Sequence, residues 1–247
     1  KGWEDNMGSL LANLNGPAYL SVEQQLYDAF IEKNRYKYLL DGLGNTLLIT
    51  FFAVLIGIVL GTLVALVRVT HSGNRKKLRI LNALSGLYLT VIRGTPVVVQ
   101  LMIVYYIVYQ SGDKLVAAVL AFGINSGAYV AEVIRSGIQS VDQGQIEAGR
   151  SLGLTQRTTM VKIVFPQALK NVAPAIFNEF IALLKETSVA GYIGVQDLTK
   201  GGDIIRSITY DPYTSLLMTA AIYLVIVIGL THCLTVLERR LHRSDNR

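Results

Sequence analysis

From Leu47 to Val67 the chain carries no charged side chain. A helix over that stretch, rising about 1.5 Å per residue, crosses the roughly 30 Å of hydrocarbon in a bilayer. No ordinary soluble fold exposes so long an apolar run, and this feature decides the class. Tyr213 to Val236 makes an equally clean second case near the other end, and Leu115 to Val133 a third, marred only by Glu132. Two weaker stretches complete the set. Ala83 to Tyr109 is apolar except for Arg93 and is interrupted by Gly94, Thr95 and Pro96, while Val172 to Val195 carries Glu179, Lys185 and Glu186. Composition agrees: 51% of the 247 residues are hydrophobic and 16% are charged. The sequence predicts an all-α membrane protein with five transmembrane helices.

Charge placement supplies the orientation, because short cytoplasmic connections retain Lys and Arg. After the first span stand Arg68, Arg75, Lys76, Lys77 and Arg79, and after the last stand Arg239, Arg240, Arg243 and Arg247. The segment from Gln139 to Lys170 holds Arg150, Arg157, Lys162 and Lys170 against Asp142 and Glu147, and falls on the same side. The opposite connections are poorer in cations: Ser111 to Lys114 is neutral, and Asp197 to Asp211 sets three aspartates against Lys200 and Arg206. An outside amino terminus and a cytoplasmic carboxy terminus satisfy every connection. The net charge of +6 lies in short clusters beside apolar runs, where anionic lipid meets it, so membrane lipid and not nucleic acid is the expected contact. In the segment before the first span, Leu26, Phe30 and Tyr36 to Leu40 suggest a helix lying on the outer surface.

The connection from Glu147 to Pro174 reads EAGRSLGLTQRTTMVKIVFPQALKNVAP. Ile146, Leu152, Leu154, Met160, Val161, Ile163 and Val164 give it apolar positions among charges. Gly153 interrupts what is otherwise continuous helix, since Gly is the common helix terminator. Two short helices meeting at Gly153 and Leu154 are expected, presenting an amphipathic surface that seats in a groove on a partner.

Glu147, Ala148 and Gly149, then Gly153, then Ile163 and Pro166, resemble the cytoplasmic EAA loop of ABC importer permeases: EAA, three residues, G, nine residues, I, any, L, P. The spacing matches throughout, with Gly149 where alanine is usual and Phe165 where leucine is usual. Arg93, Gly94, Thr95 and Pro96 resemble a motif of the polar amino-acid permeases of the histidine, glutamine and arginine type. So do Gly127 to Glu132 with Arg135, and Leu183 to Ser188, in which Asp or Asn often takes the place of Glu186. The resemblance runs from Gly42 to the carboxy terminus. It implies a five-span permease domain over 42–240, with the coupling loop over 141–170, an amino-terminal extracellular or interfacial segment over 1–41 and a cytoplasmic tail over 241–247. It also implies a subunit of a bacterial cell-membrane importer that moves amino acids by alternating access. The implied partners are cytoplasmic ABC ATPase subunits, a second permease subunit and an extracellular solute-binding protein. No GxxxxGK[ST] phosphate loop occurs in the sequence, so ATP and magnesium are expected in the partner ATPase and no cofactor in this chain.

Ionisable residues inside spans are costly and are functional candidates by default. Glu132 and Arg135 lie three apart and are placed to neutralise each other on one helix face. Glu179 and Glu186 lie seven apart and share a face. An amino acid offers a carboxylate and an ammonium, for which Arg93 and Glu186 are suitable in type. With Thr95, Tyr129, Glu132 and Ser188 they form the expected substrate pathway. Gly57 and Gly61 form GxxxG and are read as a packing surface. His232 has no acidic or histidine partner at ligand spacing, and Cys233 is read as a small packing residue, so neither marks a metal or catalytic site. An ion-coupled carrier would also place charges in spans, but gives no reason for the Glu147 to Pro166 segment. A membrane scaffold for a cytoplasmic enzyme would explain that segment and would tolerate substitution at Glu186.

Overall fold

A computed structural model describes residues 22–73, 76, 78–110 and 112–242. The expectations for residues 1–21, for Arg75, Lys77 and Ser111, and for the tail from Arg243 to Arg247 lie outside the described residues. Every regular element among the described residues is helical. They run as α1 (Val22–Leu26), α2 (Tyr36–Gly73), α3 (Arg79–Gly94), α4 (Val97–Ile103), α5 (Lys114–Gln139), α6 (Gln143–Ser151), α7 (Gln156–Thr159), α8 (Phe165–Glu186), α9 (Leu198–Thr209) and α10 (Pro212–His242). Wide π turns continue α1 over Tyr27–Ile31, α4 over Val104–Val108 and α7 over Met160–Val164, and a 3-10 helix over Thr187–Ile193 follows α8.

Among the described residues three helices, α2, α5 and α10, are long and apolar enough to cross a bilayer. The expected second span is instead two helices, α3 and α4 with its π turn, that meet at 111°. Thr95 and Pro96 at the corner are both extended, as expected where proline removes a donor and restricts the residue before it. The expected fourth span is continuous helix only to Glu186, and its Glu179, Lys185 and Glu186 keep α8 below the apolarity of the other three.

Two elements form the centre. Helices α2 and α5 approach so closely that a Cβ added at Gly57 would stand 2.7 Å from Ser126 Oγ, and one at Gly61 would stand 2.7 Å from Val130 Cβ. From the other side, a Cβ at Gly123 would meet Ile56 at 2.8 Å. Small residues facing each other in this way let backbones pack without help from a hydrophobic effect, which lipid does not supply. Around this seam Ile49, Ala53, Leu101, Ala117, Ala121, Phe122, Leu183 and Ala190 are buried together.

The segment ahead of α2 does not lie apart on the surface. Ala29 and Phe30 are buried with Leu39, Leu198 and Ile205, against Leu43, Met218 and Ile222 of α2 and α10. Arg35 fixes the turn, pairing with Glu32 at 2.9 Å and donating to the Asp28 carbonyl. Tyr36 to Leu40, expected as part of an interfacial prelude, are the first turns of α2, so Asp41 and Gly42 fall inside a continuous helix.

Candidate functional site

The segment between α5 and α8 folds as a helical hairpin. Asp142 opens α6 by accepting from the Gly144 N–H at 2.6 Å, and Thr155 opens α7 by accepting from the Thr158 N–H at 3.2 Å. Such side-chain caps satisfy the donors a helix start leaves free. Gly153 closes α6 with φ of 77°. Its N–H donates to Arg150 O at 2.9 Å and the Leu154 N–H donates to Gly149 O at 3.1 Å, the paired bonds of a Schellman stop. The Gly153 position is otherwise open, with no atom within 4 Å of an added Cβ. Conformation, and not space, demands glycine there.

The two arms touch at Gly149. A Cβ there would lie 2.8 Å from Thr159 Cγ2 and 3.2 Å from Ile163 Cδ1. Val141, Val164 and Ala168 anchor the hairpin to the bundle with Ile138, Ile146 and Met160, and Pro166 stands in the first turn of α8, where a missing N–H costs nothing. The apolar residues therefore divide. Ile146, Met160 and Val164 face inward, while Leu152 (79% exposed), Val161 and Phe165 project outward beside exposed Glu147 and Ala148.

At the α3–α4 corner two side chains replace the lost backbone bonds: Thr95 Oγ1 donates to Val91 O at 2.8 Å, and Gln100 serves the rest. Gln100 Nε2 lies 2.7 Å from Ile92 O, 3.0 Å from Thr95 O and 2.8 Å from Thr95 Oγ1. Its Oε1 accepts from Asn125 Nδ2 of α5 at 3.0 Å. A broken helix is tolerated at membrane depth only where protein groups take up the freed carbonyls, and Gln100 and Thr95 do so here. Neighbouring Ser126 donates to Glu179 of α8 at 3.2 Å, so polar groups of α3, α4, α5 and α8 form one internal band.

The expected pairing of Glu132 with Arg135 is present: the guanidinium reaches Glu132 Oε2 at 2.7 and 3.1 Å and Gln139 Oε1 at 2.6 Å. Arg93 joins from α3, 3.9 Å from the same carboxylate and 5.8 Å above the Tyr129 ring. Of the residues assigned to the pathway, Arg93, Tyr129 and Glu132 thus come together, and Thr95 stands at the corner. Glu186 and Ser188 sit at the α8 terminus, where Glu186 and Glu179 act on each other electrostatically. Gln100 and Asn125 were not legible as site residues, because an amide in an apolar run carries no signal until the carbonyls it serves are known.

Comparison with known proteins bears on this arrangement. Residues 57–243 match the family described as binding-protein-dependent transport system inner membrane component. The chain belongs to that family. It is 37% identical over 212 residues to the arginine transport system permease protein ArtQ of Bacillus subtilis, covering 84% of this chain and 94% of that one. It is 35% identical over 217 residues to the L-cystine transport system permease protein TcyB of the same organism, covering 86% and 90%. Among solved structures, an amino acid ABC transporter crystallised with histidines is 41% identical, with a TM-score of 0.78 over 85% of this chain and 98% of that one. A methionine ABC transporter in an inward-facing conformation shares the fold at 23% identity and a TM-score of 0.71. The chain is therefore a membrane-embedded permease subunit of an ABC importer. It does not itself hydrolyse ATP; in this family the ATPase is a separate subunit.

Proposed function

We propose that this permease imports polar amino acids by alternating access, driven by cytoplasmic ABC ATPase subunits that dock on the α6–α7 hairpin. The observation that carries the reading is the hairpin itself: its inner residues hold it to α5 and α8, and its outer apolar residues, led by Leu152, are left exposed by the described residues. Glu147, Ala148, Gly149, Gly153, Leu154, Ile163 and Pro166 make up the coupling element. Glu147 faces the ATPase, Gly153 stops the first arm, and the exposed apolar side chains enter the groove of the ATPase. The five-span topology, with the hairpin and carboxy terminus cytoplasmic and the amino terminus outside, is supported by the three long helices, the bent α3–α4 pair and the basic connections.

Arginine and cystine as the named solutes of two relatives, and the amino-acid transporter solved with histidines, support a polar amino acid as substrate. The pathway runs past Thr95, Glu186 and Ser188, with Tyr129 and Glu132 on its hairpin side and Arg93 on their outer rim, its side chain half exposed. Carboxylates on α8 suit the substrate ammonium. A second permease subunit completes the translocation path, and an extracellular binding protein delivers the solute. Hydrolysis moves the hairpins, and the permease halves rock between two states that differ in their contacts with the ATPase.

The test is ATP hydrolysis in proteoliposomes holding this chain and its co-purifying ATPase, with loaded binding protein added. Stimulation by binding protein is expected in the native chain and its loss in Gly153→Asp, with the bundle still folded. Unchanged stimulation in that variant would remove the hairpin from the coupling step.

A further inference from the structure

Around a shared apolar cluster, three helices present charged side chains. Val64, Leu89, Ala128 and Ala131 pack together between α2, α3 and α5. Four residues on from each stand Arg68, Arg93, Glu132 and Arg135, and a helix repeats its face at that interval. Glu132 receives Arg135 in two hydrogen bonds, lies 3.9 Å from Arg93 and feels the charge of Arg68. Arg68 Nη1 lies beside Gly86, two turns before Arg93 on α3, and its Nε is buried with no hydrogen-bond partner among the described residues. Among the described residues, Glu132 thus pairs with two guanidiniums and stands within the field of a third. Arg135 satisfies it, and Arg93 remains half exposed, held by a long ion pair and an aromatic face.

Positive charge left over at a helix-bundle surface attracts an anion, and guanidinium forks match phosphate oxygens. We propose that Arg68 and Arg93, backed by Arg135, hold the phosphate of an anionic phospholipid in the leaflet on the hairpin side. Family membership places the chain in a bilayer, and α5 runs from this layer directly toward the hairpin, ending at Gln139. The neighbouring apolar surface suits acyl chains: Leu81, Leu84, Leu87 and Val91 of α3 are all exposed. Ligand and protein then share the load. The phosphate neutralises the charges that Glu132 leaves uncompensated and ties α2 to α3 at the base of the bent pair.

The experiment uses the intact importer complex in neutral detergent, heated in the presence of phosphatidylglycerol, phosphatidylcholine or inorganic phosphate at matched ionic strength. Phosphatidylglycerol is expected to raise the melting temperature saturably, and the other two to leave it unchanged. Arg93→Gln and Arg68→Gln each raise the half-saturating concentration about fivefold, the equivalent of about 1 kcal/mol per basic residue near a lipid surface. Arg93→Lys, which keeps the charge and loses the fork, falls between. Arg239→Gln, an exposed charge loss on α10, leaves the curve in place. An equal response to phosphatidylcholine would overturn the proposal, as would a shift reproduced by inorganic phosphate alone, or Arg93→Gln and Arg68→Gln curves identical to the native one.

Discussion

Gly149 of α6 rests against Thr159 of α7, with room for a hydrogen and none for a methyl: a Cβ would meet Thr159 Cγ2 at 2.8 Å and Oγ1 at 3.0 Å. The alanine usual at this point of the motif is thus excluded by the residue ten positions later, and the two positions form one packing unit. Gly149→Ala is expected to destabilise the hairpin by about 1–3 kcal/mol, the usual cost of an extra methyl in a packed site. Thr159→Ala opens the space and also removes a buried hydroxyl that has no hydrogen-bond partner among the described residues. The double variant should regain most of the loss. Melting curves of all four proteins make the cycle, and strictly additive effects would show that the contact is not the cause.

Gln100 closes the corner between α3 and α4 with three bonds to the chain before it and one from Asn125. Gln100→Leu keeps the approximate volume but strands the Ile92 and Thr95 carbonyls. The expected loss is about 1–3 kcal/mol, the cost of leaving a part-buried carbonyl unsatisfied. Gln100→Glu retains the shape and replaces the donating amide with an acceptor, so it should fail as badly. Thermal unfolding in detergent checks both, and a Gln100→Leu variant with native stability would mean that water takes over the amide's role.

Much of this was legible in the residues and some was not, for reasons that differ by position. Leu47 to Val67 declared a span because an uncharged run needs no context. The Gly153 stop was legible because glycine after an amphipathic segment signals a left-handed residue, and φ is indeed 77° there. The bend at Gly94, Thr95 and Pro96 was legible as an interruption, but its angle depends on Gln100, whose partners lie up to eight residues back in the chain. Phe30 read as interfacial and is buried, because the surfaces covering it, Leu198 and Ile205, come from α9. Long-range burial of that kind leaves no periodic trace.

Asp197 carries a testable pH dependence. It has no solvent exposure, accepts from the Thr199 N–H at 2.9 Å and leaves Oδ1 without a hydrogen-bond partner among the described residues, facing Gly191 and near Lys200. Burial pushes its carboxyl above the ordinary carboxylate range, against backbone donors of Thr199 and Lys200 that pull the other way. A carboxyl raised on folding adds most stability when protonated, and that contribution is lost as pH rises through the folded-state value. Asp197→Asn keeps an acceptor for the helix cap and removes the buried charge. It should therefore melt higher than the native protein at neutral pH, with the gap closing as the solution is acidified below the raised carboxyl. A constant gap across the range would assign the effect to packing.

The seam between α2 and α5 allows two glycines of one helix to be set against each other. At Gly61 an added Cβ would stand 2.7 Å from the Val130 side chain and 2.8 Å from the Ala131 backbone nitrogen, which cannot move without shifting α5. At Gly44, on the same helix, an added Cβ meets nothing within 4 Å. Gly61→Ala should therefore cost about 1–3 kcal/mol by forcing the helices apart, and separation would also disturb the ion pairs of Glu132, which follows Ala131 directly. Gly44→Ala should instead stabilise by about 0.4–1 kcal/mol, since alanine restricts the unfolded chain and favours helix. The opposite signs are the test. Melting temperatures that fall for both variants would show that the whole of α2, and not the α5 seam alone, is tightly enclosed in the assembled importer, with Gly44 covered by a second subunit.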